Sequence, residues 1–283
     1  MRRIIAIVLL FIPTSVFAWG NAGHKIVADV AQRKLESGSA KEKKALQNAL
    51  QILGAQRLAD VALDPDSWKK DVLGAIHTAD WHFVDIPLNE NSFDPARDCK
   101  RSDCIIPRIE QMSDVLANPK ASPNARKEAL TFLIHFLGDI HQPLHCAEGM
   151  VHGKPDQGGN LINVTFNGGH VPGNDNGDAK LDNLHFVWDV SIIKRTGLGN
   201  AQIVAHLFTD VLPHQSVSAL AGGKVLDWAL ESHGVAKSAG VQVADHTNLA
   251  DNYMTSNFQK VEVQLLRGGF RLAKVIEDAL GSQ

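Results

Sequence analysis

Long apolar runs are missing from this sequence after residue 18, so no later segment approaches the ~20 residues that a membrane-spanning helix needs. Cysteines are few: there are three, and no two stand in the Cys-x-x-Cys spacing typical of zinc held by thiolates. An excess of positive charge is also missing, since 28 Lys and Arg residues stand against 31 Asp and Glu residues and the formal net charge is −3. These absences argue against a membrane anchor and against a basic surface that clamps duplex nucleic acid. They stay compatible with a nucleic-acid substrate whose charge is matched by bound metal ions.

The N-terminal segment has the three parts of a secretory signal peptide. Arg2 and Arg3 form a charged start, an apolar stretch follows, and Ala18 ends a small-residue cleavage site. We therefore predict a signal peptide over 1–18 and one large domain over 19–283. Cleavage removes two positive charges and takes the formal charge from −3 to −5. We expect the mature protein to be exported, to a periplasm or to the medium, as a monomer without a membrane anchor.

The three cysteines fit an oxidising compartment. Cys99 and Cys104 are close enough in the sequence to close a small disulfide loop, which would pin the segment after Asn89. That pairing leaves Cys146 over. We interpret Cys146 as a buried, inert thiol, with a metal ligand and an oxidation-sensitive thiol as the alternatives.

Apolar residues recur at helical spacing along most of the chain, which predicts an all-α, single-domain fold. The pattern covers 26–35, 43–53, 105–116, 125–138, 185–194, 201–212, 224–236 and 255–280. In the last of these, Gly268 and Gly269 are expected to permit close helix packing or a bend. Only residues 161–166 have a strand pattern, and we expect at most a small β-hairpin between them and the segment near His170. The Gly- and Asp-rich stretch 147–183 is predicted to be a long, functional loop.

The stretch TFLIHFLGDIHQPLH, from Thr131 to His145, concentrates metal-ligand chemistry in an apolar setting. His135 and Asp139 are four residues apart, so on a helix they lie on one face, one turn apart. Pro143 ends the helix, and His145 follows it. The alternative interpretation is a core helix with incidental polar residues, because buried histidines that are satisfied by hydrogen bonds are common.

Further histidines and carboxylates stand at similar spacing elsewhere in the chain. His185 and Asp189 repeat the four-residue spacing at a helix start, and His82 precedes Asp85 by three residues. Three carboxylates precede Trp68: Asp60, Asp64 and Asp66. Each group also has an ordinary structural interpretation, namely a helix N-cap for Asp64 or Asp66, a packed ring for His82, and a surface pair for His185 and Asp189.

Cleavage after Ala18 would make Trp19 the N-terminal residue of the sequence WGNAGH. A free α-amino group titrates near ~7.7 and can bind a metal alone or with its own carbonyl group. His24 is close enough to join it, although an ordinary ragged terminus is the alternative. Together with two H-x-x-x-D helices, this motif favours zinc held by mixed nitrogen and oxygen ligands, with coordination positions left open for water.

Taken in order, WGNAGH, HFVD, HFLGDIHQPLH, GGN and NLHFVWD resemble the S1/P1 nuclease family. The resemblance extends from Trp19 to the C-terminal RGGFRLA stretch. It implies a secreted, all-α helical bundle of the zinc-dependent phospholipase C and nuclease type, with residues 19–283 as the nuclease domain. It also implies three zinc ions, endonuclease and 3′-nucleotidase activity, and a preference for single-stranded DNA and RNA. Any one motif is weak, but the ordered set is specific.

The same resemblance implies which residues hold the three zinc ions. The implied ligands are Asp66, His82, His135 and the bridging Asp139 for the first ion, the Trp19 amino and carbonyl groups with His24 for the second, and His145, His185 and Asp189 for the third. Asp64 is the rival to Asp66, because DPDSWKK departs from the W-A-D type of segment that the family usually has there.

The family also has a base-stacking ring and an acceptor for the base edge, which match Phe83 and Asp85. Asp66 would orient the attacking water, and Lys69 stands where the family tends to have arginine and would add positive charge. Zinc would lower the pKa of water toward ~7 and stabilise the departing 3′-oxygen, so that hydrolysis leaves a 5′-phosphate. Stacking on Phe83 requires an unstacked base, which gives a physical reason for preferring single strands.

Two other functions compete with this interpretation. A secreted zinc phospholipase C resembles the family in fold and in zinc content, but its last ligand motif typically ends in glutamate, where this chain has Asp189. An exported zinc-binding protein without catalysis is the other. An open coordination position at the third ion argues against it, because structural zinc sites are closed.

Overall fold

The computed structural model describes residues 19–68 and 78–282, so the expected signal peptide over 1–18 lies outside the described residues. Helices dominate, as the sequence predicts. In chain order they are α1 (Asn21–Ser37), α2 (Ala40–Leu53), α3 (Asp64–Trp68), α4 (Pro95–Asp98), α5 (Ile105–Ala117), α6 (Pro123–Asp139), α7 (Leu184–Phe186), α8 (Ile192–Lys194), α9 (Asn200–His206), α10 (Val217–Ala221), α11 (Val225–Ser238) and α12 (Asp251–Leu280). Among these described helices, none is long and apolar enough to cross a membrane.

Tighter and wider helical turns connect or extend these helices. The 3₁₀ turns cover Leu58–Asp60, Ala79–His82, Lys100–Ser102, Pro143–Cys146, Ala179–Leu181 and Leu212–His214. Two π-helical turns cover Val187–Ser191 and Leu207–Val211. The first of these lies between α7 and α8. Residues 184–194 therefore form a continuous helical segment of mixed α and π type, where the sequence predicts a single helix over 185–194.

Local sequence sets where the long helices begin and end. Ser39 and Glu42 form a capping box at the start of α2, and Gly54 ends that helix in the left-handed conformation at φ +65°. The Ser122 side chain accepts a hydrogen bond from the Ala125 N–H at the start of α6, where Pro123 takes the first helical position. These side chains satisfy backbone groups that have no partner within the helix.

Two small two-stranded sheets complete the described structure. β1 (Met150–Val151) pairs antiparallel with β2 (Lys154–Pro155), and β3 (Val164–Phe166) pairs in parallel with β4 (Thr247–Leu249). The expected hairpin between 161–166 and the segment near His170 is wrong, since only an isolated bridge joins Phe166 to Gly169. Asp245 explains the difference, because its carboxylate accepts hydrogen bonds from the backbone and side-chain amides of Asn163 and holds β4 against β3.

The core consists of two hydrophobic clusters that share α1 and α12. One lies among α1, α2, α5, α6 and the C-terminal half of α12. The other lies among α1, the segment from α7 to α9, and the N-terminal half of α12. From Ala129 to its end α6 is buried on every side, so it is a central helix of the fold.

The cysteines are arranged as the sequence predicts. Cys99 and Cys104 form a disulfide bond, and Cys146 is a buried free thiol. Burial raises the pKa of the Cys146 thiol, and its Sγ lies 3.5 Å from the Ile140 carbonyl oxygen. A protonated, buried thiol is inert toward metals and oxidants, which supports our interpretation of this residue.

Two neighbouring glycines let α12 approach α1 and α6 closely. A Cβ at Gly268 would stand 2.9 Å from the Leu137 carbonyl oxygen. One at Gly269 would stand 2.2 Å from Val30 Cγ1 and 3.0 Å from the Val27 carbonyl oxygen. The prediction of close packing is confirmed, and α12 continues through both glycines without ending.

Replacing Gly269 by alanine should therefore destabilise the protein, even though alanine is the better helix former. We expect the free energy of unfolding to fall by about 1–3 kcal/mol, the usual cost of overpacking. Gly234→Ala in α11 is the matched control, because no atom lies within 4 Å of its added Cβ. It should raise stability by about 0.5–1 kcal/mol. Urea unfolding of the two variants checks this, and equal effects would contradict it.

Candidate metal centre

The buried end of α6 carries the residues around which the site is built. His135 and Asp139 are both fully buried, one helical turn apart, among Phe132, Leu133 and Phe136. Burying imidazole and carboxylate groups in an apolar helix end is costly unless charges and hydrogen bonds compensate for lost hydration. The neighbouring elements supply groups that do so.

His135 lies at the centre of the first cluster. Its Nε2 is 3.1 Å from His82 Nδ1, 3.4 Å from Asp66 Oδ1 and 3.3 Å from Asp139 Oδ2. His82 Nδ1 is in turn 2.8 Å from Asp139 Oδ2. The ligand atoms of His82, His135 and Asp139 thus lie close enough together to hold one metal ion. Three separate elements meet here, namely α3, the turn Ala79–His82 and α6.

Asp139 connects this group to the start of α1. Its second carboxylate oxygen, Oδ1, lies 3.3 Å from His24 Nε2, and the His24 ring stacks on the His135 ring with centroids 3.9 Å apart. The ligand atoms of His24, Asp66 and His135 also lie within 4.8 Å of one another. Because the two groups share His135 and Asp139 contacts both, they form one continuous cluster.

A second cluster lies beyond the C-terminal end of α6. His145 Nε2 is 3.2 Å from His185 Nε2, and His185 Nε2 is 3.3 Å from Asp189 Oδ2. All three side chains are buried. The turn Pro143–Cys146 carries the first histidine, α7 the second, and the π-helical turn the carboxylate. The surface ion pair that was the alternative for His185 and Asp189 does not fit their burial.

Backbone carbonyl groups orient three of these imidazoles. The Nδ1 atoms of His135, His145 and His185 lie 2.7–2.8 Å from carbonyl oxygens, which belong to Ala62, His82 and Gly158. An Nδ1–H that donates to a carbonyl leaves Nε2 with its lone pair directed into the cluster. This is the arrangement that metal-binding histidines adopt.

The donor set and its spacing fit zinc. Two Nε2 lone pairs that face each other at 3.2 Å, as in His145 and His185, repel unless a cation lies between them. Zinc–nitrogen and zinc–oxygen bonds of about 2.0–2.2 Å in tetrahedral geometry put neighbouring ligand atoms roughly 3.3–3.5 Å apart. The observed separations of 2.8–3.4 Å are close to that value. The sequence-predicted histidines and carboxylates therefore form groups that can bind metal.

Sequence reasoning missed two residues that shape the second cluster. Gln142 is fully buried; its Nε2 donates to Asp189 Oδ1 at 2.6 Å, and its Oε1 accepts from the Leu144 N–H at 2.6 Å. Gly158 has φ +59° and supplies the carbonyl that holds His185, and a Cβ there would stand 2.6 Å from the Leu144 carbonyl oxygen. Gln142 belongs to the motif HFLGDIHQPLH and Gly158 to the motif GGN, and this was the sequence signal that could have identified them.

The other residues predicted for the site are Asp66, Trp19 and Lys69, and the structure describes the first two of them. Asp66 is buried and belongs to the cluster, whereas its rival Asp64 is half-buried and does not. Trp19 is fully buried in the second hydrophobic cluster, and the Gly20 N–H donates to the Asp189 carbonyl at 2.9 Å. This bond brings the start of the described chain to the metal centre. Lys69 lies outside the described residues.

The two residues predicted to hold a base lie on an extended segment beside the first cluster. Phe83 is half-buried, and its carbonyl accepts from the Ile105 N–H at 3.1 Å; the Asp85 N–H donates to the Asp98 carbonyl at 3.3 Å. Asp98 and Ile105 flank the Cys99–Cys104 disulfide, so this segment is hydrogen-bonded to the backbone on both sides of the disulfide. Burial raises the pKa of the Asp85 carboxyl group to about 6, against a smaller opposing effect of Lys100.

Comparison with known proteins finds relatives along almost the whole chain. Residues 19–281 match the profile of the S1/P1 Nuclease family. The chain is 30% identical to Nuclease PA3 of Penicillium sp and 29% identical to Nuclease P1 of Penicillium citrinum, in each case over 94% of this chain and 99% of the relative. It is 28% identical to Nuclease S1 of Aspergillus oryzae, over 94% of this chain and 93% of the relative.

The family profile covers the whole chain after residue 18 except its last two residues, and both metal-binding clusters lie within the matched range. The protein belongs to the S1/P1 nuclease family and is an enzyme that acts on phosphodiester bonds.

Proposed function

We propose that this enzyme is an exported zinc nuclease that hydrolyses single-stranded DNA and RNA to 5′-phosphorylated products and removes the phosphate of 3′-mononucleotides. The observation that carries this proposal is the buried chain of imidazole and carboxylate groups in which two ligand groups share His135 and Asp139 contacts both. Clustered metal ions are the usual device for clamping a phosphoryl group during displacement.

Three zinc ions would occupy these groups. We assign Asp66, His82 and His135 to one ion, the Trp19 amino and carbonyl groups with His24 to a second, and His145, His185 and Asp189 to a third. The contacts of both Asp139 oxygens, to His82 on one side and His24 on the other, support a bridging carboxylate. Mature residue 19 would be created by removal of the predicted signal peptide, so export and completion of the site would be one event.

Bound zinc would supply Lewis acidity here: it would lower the pKa of water toward ~7 and stabilise negative charge on phosphate oxygens. The protein's own residues position the reactants. The Asp66 carboxylate, at the edge of the first cluster and slightly exposed, would orient the attacking water and accept its hydrogen bond. Lys69 would add positive charge near the phosphate.

Phe83 and Asp85 would hold the nucleotide base. A base stacked on an aromatic ring gains roughly 1–3 kcal/mol, and only an unstacked base can reach it. This supports a preference for single strands and a tolerance of any sequence, since every base has a flat face. The half-exposed ring and the extended backbone of the segment support this assignment.

Side-by-side assays of denatured DNA, RNA, a 3′-mononucleotide and phosphatidylcholine test the proposed function. We expect turnover of the three nucleotide substrates and none of the lipid. Phe83→Ala should raise KM for the nucleotides by roughly tenfold, the value of one stacked base. It should leave an abasic 3′-phosphate substrate unaffected. Turnover of the lipid alone would identify a phospholipase, and no turnover with full zinc would identify a binding protein.

The shared carboxylate predicts unequal metal losses in two variants. Asp139→Ala should reduce zinc from about three ions per chain to about one, because it removes a ligand from two sites. His145→Ala should remove only one ion. Elemental analysis of purified protein measures both, with circular dichroism to confirm folding. Asp64→Asn is the matched control and should retain all the zinc; equal losses in the first two variants would refute the bridging assignment.

An added residue tests the proposed part of Trp19. One glycine placed before Trp19 moves the α-amino group away from the site, so we expect the loss of about one zinc ion and at least about a tenfold fall in activity. One glycine added after residue 283 serves as the control. If the N-terminal extension left zinc content and activity unchanged, Trp19 would not be a ligand.

A further inference from the structure

Gln142 is a buried side chain that joins two of the elements carrying ligands proposed for the third zinc ion. It immediately precedes the turn Pro143–Cys146, which carries His145, and its side chain reaches Asp189 on the π-helical turn. The side chain is fully buried, so its amide nitrogen and oxygen need partners within the protein. It is not itself one of the proposed ligands.

The partners of this amide determine which way it points. The Leu144 N–H can only donate, so its partner at 2.6 Å is the amide oxygen, Oε1. The amide nitrogen, Nε2, then donates to Asp189 Oδ1 at 2.6 Å. A flipped amide would set two donors against each other at Leu144. Asp189 is therefore the acceptor in this contact, which is the role of an ionised carboxylate.

Asp189 divides its two oxygens between the amide and the second cluster. Oδ1 accepts from Gln142, and Oδ2 lies 3.3 Å from His185 Nε2. The carboxylate cannot rotate without breaking the bond at Oδ1, so Oδ2 stays directed toward the imidazole. Hydrogen bonds that orient a ligating carboxylate in this way typically strengthen metal binding by roughly 10–100-fold.

The main chain of Gln142 is held as well as its side chain. Its N–H donates to the Asp139 carbonyl at 2.9 Å, and its carbonyl accepts from the His145 N–H at 3.0 Å. The amide donor is thus attached to the end of α6 on one side and to the turn of His145 on the other. Through Asp189 it couples this turn to a segment 47 residues further along the chain.

We propose that Gln142 is a positioning residue for the third zinc ion: its amide holds the Asp189 carboxylate in place for coordination beside His145. This inference rests on the proposed function, in which His145, His185 and Asp189 bind that ion. Without the amide, Asp189 would rotate away from the imidazoles and the ion would bind more weakly. A neutral donor suits this task, because it adds no positive charge that would repel zinc.

Gln142→Met tests the inference, because methionine keeps the length of the side chain and cannot donate a hydrogen bond. We expect a roughly 10–100-fold weaker affinity for one zinc ion and unchanged affinity for the others. Competition with a chromophoric chelator measures the dissociation constants on the mature protein. The weakened ion should be the one that His145→Ala lacks. Excess zinc should refill the site and restore the hydrolysis of a 3′-mononucleotide.

Gln264→Met is the matched control. Gln264 is also a fully buried glutamine, and its Nε2 donates to the His141 carbonyl at 3.0 Å and to Ser232 Oγ at 2.9 Å. Both variants lose buried hydrogen bonds, so both should unfold at a lower urea concentration than the wild type. Only Gln142→Met should change the zinc affinity. The comparison therefore separates positioning of a ligand from stabilisation of the fold.

A measurement on the wild type does not depend on whether the variant folds. The side-chain amide signal of Gln142 in a nitrogen–proton NMR spectrum should shift as the third ion binds, because the carboxylate that accepts its hydrogen bond then coordinates zinc. This shift should be missing when zinc is added to His145→Ala. A signal that stays in place during zinc binding to the wild type overturns the inference.

The outcomes separate this inference from the proposed function. Equal zinc affinities in Gln142→Met and the wild type, or equal losses in Gln142→Met and Gln264→Met, overturn the inference and leave the zinc nuclease intact. Loss of more than one ion from folded Gln142→Met also overturns it. Failure of the wild type to bind zinc overturns the proposed function, and the inference falls with it.

Discussion

The Asp139 carboxylate is the constraint on which the rest of the structure depends. It is fully buried at the end of the central helix, with one oxygen toward His24 and the other toward His82 and His135. A carboxyl group buried in an apolar interior needs polar partners close to it. The start of α1 and the turn before Phe83 supply them, and the packing of α1 along α12 brings the first of them there.

Regular helices form the scaffold, and irregular helical turns carry several of the metal-binding side chains. His82 and His145 lie on 3₁₀ turns, and Asp189 lies on a π-helical turn. Such turns leave carbonyl groups directed away from the ordinary helical pattern. The His82 carbonyl is one of these, because it accepts from His145 Nδ1 and so connects the two metal-binding clusters. This hydrogen bond thus joins the backbone of one cluster to a side chain of the other.

Much of this site could be predicted from the sequence because four-residue spacing has a fixed meaning on a helix. His135 with Asp139, and His185 with Asp189, follow from that rule. Contacts between residues that are far apart in the chain do not follow from this spacing rule. The choice of Asp66 over Asp64 depends on how α3 meets α6, and the parallel pairing of β3 with β4 depends on the Asp245 carboxylate.

Gly138 shows how the site limits engineering of the helix that carries it. Glycine is a poor helix former, so a position in the last turn of α6 would be an early choice for anyone wishing to raise thermal stability with alanine. A Cβ there would stand 2.5 Å from His24 Nδ1. The substitution would favour the helix while displacing an imidazole from the metal centre. At Gly138, a more stable helix and an intact metal centre therefore exclude each other, because only a hydrogen atom fits beside the His24 ring.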